Sequence, residues 1–302
     1  MDPLDQQLAD RLPGAHLTET LQTLWGGWGR LVRVRLADGA PAVVKQVSPA
    51  RFDHGMSAAR KRRSYEVEAS FYRTVAMRKG LPRVPRPLLI DDGMFVLEDL
   101  DAAGFPGRAV GTHSLPPERI EEVLHWLADF HGVLMGDPGE GLWPRGTYWH
   151  LATRPDELEA MAPGPLRDAA AAIDARLAEA EHVTLLHGDA KVANGCFGDG
   201  VAMVDFQYTG RGPGVSDVVY FLGSCLDDAL LASQADAWLD RYLARLDDHL
   251  EPSVRASVRK ETHELWAFAW ADFERFLAGW APDHWKRSGY AHRQTQRALA
   301  QL

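Results

Sequence analysis

The stretch LLHGDAKVANGCFGDGVAMVDFQ, residues 185–207, sets a His-Gly-Asp, an asparagine and a second aspartate among two short apolar runs. Aspartate and asparagine are ordinary turn residues, so His-Gly-Asp alone reads as a β-turn joining two core strands. The whole order is more demanding. Val183 to Leu186 and Val201 to Val204 read as strands flanking a polar loop, and Asp-Phe-Gln closes the second. Little else matches strand, His-Gly-Asp, four residues, Asn, strand and Asp-Phe-Gln in that sequence.

Such a set suits phosphoryl transfer from a nucleotide. That reaction needs a carboxylate to orient or deprotonate the acceptor hydroxyl, oxygen ligands for Mg²⁺, and a cation near the developing charge. Asp189 and, five residues on, Asn194 are placed to aim at one spot, and Asp205 at the end of the next strand completes a hard-oxygen metal set.

Outward from this stretch the chain divides. In GGWGRLVRVRLADGAPAVVKQV, residues 26–47, Leu31, Arg33 and Arg35 alternate with Val32, Val34 and Leu36 before an Asp38-Gly39 turn, predicting a β-hairpin. A helix follows over 57–80, stopped by Gly80 and Pro82, and two more short strands surround Asp92-Gly93. From PPERIEEVLHWLADFHGVLMG, residues 116–136, helical periodicity dominates to the C-terminus. The expected division is a nucleotide-binding part, 1–100, and a catalytic and substrate-binding part, 101–302.

Composition bounds the function. With 302 residues, 46% hydrophobic and 25% charged, the chain reads as globular. A net charge of −9 argues against a general nucleic-acid binder but leaves room for a phosphorylated ligand held by a few placed basic residues. Cys196 and Cys225 are too few for a disulfide framework, so a reducing cytoplasm is the expected location. No run reaches the ~18 apolar residues of a membrane span.

HGDAKVAN with VDFQ resembles the Brenner-type motif and metal-binding aspartate of the aminoglycoside phosphotransferase-like kinases, a superfamily that includes choline kinases. The following YTGRGPGVSDVVYFLG is most similar to its ecdysteroid kinase-like branch. The resemblance implies an α+β, protein-kinase-like two-lobed fold: a small antiparallel sheet plus one helix in the N-lobe, and a mainly helical C-lobe. It implies ATP and Mg²⁺ as cofactors, Asp189 as catalytic base, and Asn194 and Asp205 as metal ligands. Lys191 stands where protein kinases keep a lysine that meets the transferring phosphate, whereas small-molecule kinases mostly lack it. His187 matches the residue that braces the loop, and Asp217 one that ties it down through backbone hydrogen bonds.

The nucleotide side follows the same resemblance. Gly26, Gly27 and Gly29 match a phosphate-covering loop, although GGWG lacks the third glycine of G-x-G-x-x-G. Lys45 on its own reads as a lysine snorkelling at a strand end; by position it matches the strand lysine that grips the α and β phosphates. Its helix partner is Glu66 or Glu68, and relatives that carry Glu-x-x-Phe-Tyr favour Glu68. MFVLEDL, residues 94–100, matches the hinge, with Glu98 and Leu100 contacting adenine through their backbone. The basic run Arg60 to Arg63 reads as a solvated face.

The expected function is ATP- and Mg²⁺-dependent phosphorylation of a small-molecule hydroxyl; the alternatives are a protein or macromolecule kinase and a nucleotide-binding pseudokinase. Only eleven residues separate Asp205 from Asp217, too few for the activation segment of a protein kinase. Trp266, Trp270, Trp280 and Trp285 with Asp272 and Glu274 could wall a site for a cationic or amphipathic acceptor, or could be core, as aromatic stripes at helical spacing usually are. The acceptor's identity, the choice of ATP over GTP and the oligomeric state leave no trace in the sequence.

Overall fold

The computed structural model describes residues 3–24, 27–48 and 55–302. In chain order the elements are α1 (Pro3–Arg11), β1 (His16–Thr23), β2 (Gly29–Arg35), β3 (Pro41–Val47), α2 (Met56–Thr74), β4 (Pro87–Asp91) and β5 (Met94–Glu98). They continue with α3 (Pro117–Val133), α4 (Pro155–Ala160), α5 (Pro165–Asp168), α6 (Ala170–Ala178) and β6 (Thr184–Leu186). Then come β7 (Gly195–Gly198), β8 (Gly200–Met203), β9 (Gly210–Gly212), α7 (Val215–Cys225), α8 (Asp228–Leu246), α9 (Pro252–Trp280) and α10 (Gly289–Leu299). Two compact units result: residues 1–79, 83–107 and 196–207 form the sheet unit, and 80–82, 108–195 and 208–302 the helical unit.

In the sheet unit five antiparallel strands run in the order β1-β2-β3-β5-β4. The predicted alternation places Val32, Val34, Ala42, Val44, Met94 and Val96 on one face, where they pack with Leu8 of α1. Lys45 points to the other face, toward α2. Both hairpins form as expected, with Gly39 and Gly93 in the left-handed region.

Two elements at the start of the sheet unit escaped the sequence reading, as did the short strands β7 and β9 further on. The first strand is β1, not the Leu31 strand; seven of its eight residues are exposed, so it lacks the apolar alternation that signals a strand. Helix α1 is a second helix of this unit, absent from the expectation of one, because PLDQQLADR carries only Leu4 and Leu8 as a one-sided stripe.

The strands flanking the polar loop do not pair with each other. β6 pairs with β9, and β8 forms a two-stranded sheet with β7. Residues 185–207 are therefore not a simple hairpin, and the loop after β6 is held by other means. No described helix is long and apolar enough to cross a membrane.

Candidate active site

Within the sheet unit, Lys45 sits mid-strand on β3 with its side chain 9% exposed. Its ammonium donates to Glu68 Oε2 at 2.6 Å and lies 3.3 Å from Asp205 Oδ1. Helix geometry decides between the two glutamates. Ser64, Val67, Glu68, Phe71 and Tyr72 are buried at helical spacing on α2. Glu66, roughly 200° round the axis from Glu68, lies in solvent beside Arg63. Burial penalises the Lys45 ammonium, but the charges of Glu68 and then Asp205 outweigh it and lift its pKa above the ordinary lysine value.

Removing one partner of a buried pair strands the other charge. Glu68→Ala is therefore expected to lower stability by about 3 kcal/mol, whereas Glu66→Ala should change it by less than about 0.5 kcal/mol. Denaturant melts of the two variants check the assignment.

Asp205 adopts a left-handed backbone, φ 72°, a conformation aspartate tolerates better than most residues. Its neighbours hold it there. Phe206 is fully buried and stacks on Phe71 with ring centroids 3.8 Å apart. Gln207 hydrogen-bonds the side chains of Tyr65 and Glu68. Each residue of the Asp-Phe-Gln triplet thus has a separate task.

The glycines divide by role. Gly26 lies outside the described residues. Gly27, φ 72°, has open space where a Cβ would stand. Gly29 opens β2 directly against β3, where an added Cβ would come 1.9 Å from the Gln46 carbonyl oxygen. Close strand packing therefore accounts for Gly29 without a phosphate. Gly29→Ala is expected to destabilise the sheet unit by at least about 3 kcal/mol, and Gly27→Ala by about 1 kcal/mol from left-handed strain alone; thermal melts distinguish them.

At the proposed hinge, the Glu98 N–H donates to the Arg86 carbonyl and the Leu100 carbonyl accepts from Phe105. The Glu98 carboxylate pairs with Arg83. The Leu100 N–H carries no such bond among the described residues. Arg33 bridges Asp99 and Asp101, fixing this segment to β2.

Within the helical unit, the His-Gly-Asp loop is anchored from α7. Asp217, fully buried, accepts the N–H of His187 at 2.6 Å and of Gly188 at 3.0 Å, and its Oδ2 also meets His131 Nε2 at 3.1 Å. His131 in turn contacts the Tyr242 hydroxyl. Gly188, φ 80°, admits no side chain: a Cβ would fall 2.0 Å from the Tyr208 carbonyl oxygen.

Asp189 is buried, and its Oδ2 accepts from Lys191 Nζ at 2.8 Å and Asn194 Nδ2 at 3.2 Å. The same Asn194 nitrogen donates to the Asp189 carbonyl, which leaves Oδ1 as the atom Asn194 would offer a cation. Tyr220 hydrogen-bonds Asp189 and also Tyr148. Burial first, then the Asp189 charge, raises both tyrosine pKa values. These tyrosines escaped the sequence reading, although Tyr220 is the tyrosine of the quoted DVVYF.

The arrangement thus assembles Lys45, Glu68 and Asp205 in the sheet unit, and Asp189, Lys191 and Asn194 in the helical unit. The carboxylate of Asp205 and the amide oxygen of Asn194 are the hard donors Mg²⁺ takes. Of the two readings of the tryptophans, the core reading holds for Trp266 and Trp270. Asp272 is bonded to Arg275 and Glu274 to Arg287, so both acids are spent within the protein. Trp280 and Trp285 are exposed. A cavity of about 760 Å³ beside α1 and α2 is lined by Glu66 but by none of the residues assembled above.

An antiparallel sheet bearing a buried lysine–glutamate pair, joined in one chain to a helical unit with a braced His-Gly-Asp loop, defines the kinase-like α+β class. The chain belongs to the phosphotransferase enzyme family (APH), whose profile matches residues 20–256. Curated protein sequences give no significant match. Among solved structures it is similar to a macrolide 2′-phosphotransferase from Brachybacterium faecium, at 18% identity and TM-score 0.57 over 100% of this chain and 98% of that one. A choline kinase from Cryptosporidium parvum gives 10% identity and TM-score 0.59 over 98% and 94%. An ethanolamine kinase from Plasmodium vivax gives 10% and 0.55 over 98% and 85%. At these identities the likeness is one of fold.

Proposed function

We propose that the protein transfers the γ-phosphoryl group of ATP, with Mg²⁺, to a hydroxyl of a small molecule. The observation that carries this reading is the setting of Asp189: a buried carboxylate on a loop fixed by Asp217, held in one orientation by Lys191, Asn194 and Tyr220. The structural relatives named for a macrolide, choline and ethanolamine support a small acceptor.

Each residue then has a role. Asp189 accepts the proton of the acceptor hydroxyl as its oxygen attacks the γ-phosphorus and the bond to the ADP oxygen breaks. Lys45, oriented by Glu68, holds the α and β phosphates. Asn194 and Asp205 would be the oxygen donors for Mg²⁺, whose charge would offset that of the phosphates. Leu100 offers its N–H to the adenine. Lys191 meets the transferring phosphate from its position on Asp189.

ADP release measured with a panel of hydroxylated metabolites tests the reading. Mg²⁺-dependent stimulation by at least one alcohol is expected; release that no alcohol stimulates would count against it.

A further inference from the structure

Beside the catalytic loop, and wholly within the helical unit, lies an open groove of about 530 Å³. Val110 to Thr112, Lys191 to Ala193, Ser224, Trp285 and Lys286 line it. Its size suits a small metabolite. Among the described residues, two lysines and no carboxylate line it, Lys191 being paired with Asp189 and Lys286 not.

Lys286 is the unusual member. Its ammonium lies 4.5 Å from the centroid of the Tyr220 ring, and farther out over Phe273 and Trp285. Among the described residues no carboxylate oxygen lies within ion-pair distance of it. Asp189 is within electrostatic reach, but its Oδ2 already serves Lys191 and Asn194. Ring faces soften the cost of removing an ammonium from water without cancelling it. A lysine kept only as packing would gain from replacement by an apolar residue of similar volume. An anion arriving in the groove would supply the missing countercharge. Val110, 77% exposed, and Trp285, 52% exposed, give the rim apolar surface for the remainder of such a ligand.

We infer that the acceptor is an anionic alcohol, a hydroxyl compound bearing a carboxylate or phosphate, which Lys286 binds in this groove. The inference rests on the phosphotransferase reading and names its substrate class. A cationic acceptor would instead meet the Lys286 ammonium, a charge of its own sign. Lys286 acts as a specificity-determining residue, standing over the same tyrosine that hydrogen-bonds the base.

The test sets glycerate, 3-hydroxybutyrate and glycerol 3-phosphate against ethanolamine and 3-aminopropanol, with Mg·ATP binding followed in parallel. The best anionic acceptor is expected to exceed every amino alcohol by about 100-fold or more in kcat/KM. Lys286→Met should raise its KM about 10-fold with a smaller change in kcat, and Lys286→Arg should restore most of the loss. Burial, opposed by Asp189 and aided by Lys191, lowers the Lys286 pKa to about 8, with Cys225 a minor favourable neighbour. The ammonium is present below that value and lost above it, so the acceptor KM should climb as pH passes 8. Preference for amino alcohols, an unchanged KM in folded Lys286→Met, or no transfer to any anionic member while Mg·ATP still binds would each overturn the inference. Failure of the wild-type chain to bind Mg·ATP would instead overturn the phosphotransferase reading beneath it.

Discussion

Asp189→Asn is expected to cut phosphotransfer by about 10³-fold while leaving Mg·ATP affinity within about threefold of wild type. The substitution preserves shape, and the amide oxygen can still accept from Lys191 and Asn194, which hold the carboxylate together with Tyr220. It removes the capacity to take a proton from an alcohol. Nucleotide contacts assigned to Lys45 and Leu100 are untouched. Paired calorimetry and ADP-release measurements separate the two effects. Turnover near wild type in this variant would sink the base assignment, whereas joint loss of binding and turnover would indicate a collapsed loop.

The second large effect is expected at Asp205. Asp205→Ala should weaken Mg²⁺-dependent ATP binding by about 100-fold or more, or about 2.7 kcal/mol, with little binding left to respond to the metal. Two contributions must be told apart. Alanine in a left-handed backbone adds about 1 kcal/mol of strain that aspartate avoids, and Asp205 occupies that region. Asp205→Asn tolerates the backbone and removes only the charge. Loss of metal response in both variants assigns the effect to the carboxylate; loss in alanine alone assigns it to the backbone. Lys45 also donates to Glu68 at 2.6 Å, a contact neither substitution removes, so the fold itself should survive.

The residues proposed to carry the chemistry stand out in the sequence more than the architecture around them does, and the reason is local. A metal or proton-transfer set needs particular residue types at short spacing, so His187 to Asn194 and Asp205 to Gln207 stand out without knowledge of the fold. The β2–β3 hairpin was legible because a half-buried strand alternates and Asp38-Gly39 fits its turn. β1 was hidden because its pairing with β2 is made by backbone bonds, which leave no mark on side chains. The partners of β6 and β8 were hidden because pairing is settled by contacts distant in sequence. Nothing in CFGDGVAM announces that these residues group with the sheet unit.

The same contrast explains the tryptophans. Periodicity placed Trp266 and Trp270 on one face of α9, yet could not say that the nearby acids Asp272 and Glu274 would be spent on Arg275 and Arg287. Lys286, outside every recognisable motif, gained meaning only from the rings beneath it and the groove it lines. Tyr220 lies between these cases: its spacing from Asp217 was visible, but its hydrogen bond to Asp189 was not.

The most direct test follows the γ-phosphorus itself. Phosphorus NMR of the protein with ATP, Mg²⁺ and the hydroxylated panel should show the γ resonance replaced by that of a phosphate monoester, dependent on both the metal and the Asp189 carboxylate. Appearance of inorganic phosphate alone, or ester formation that persists in Asp189→Asn or without a divalent ion, would contradict the account.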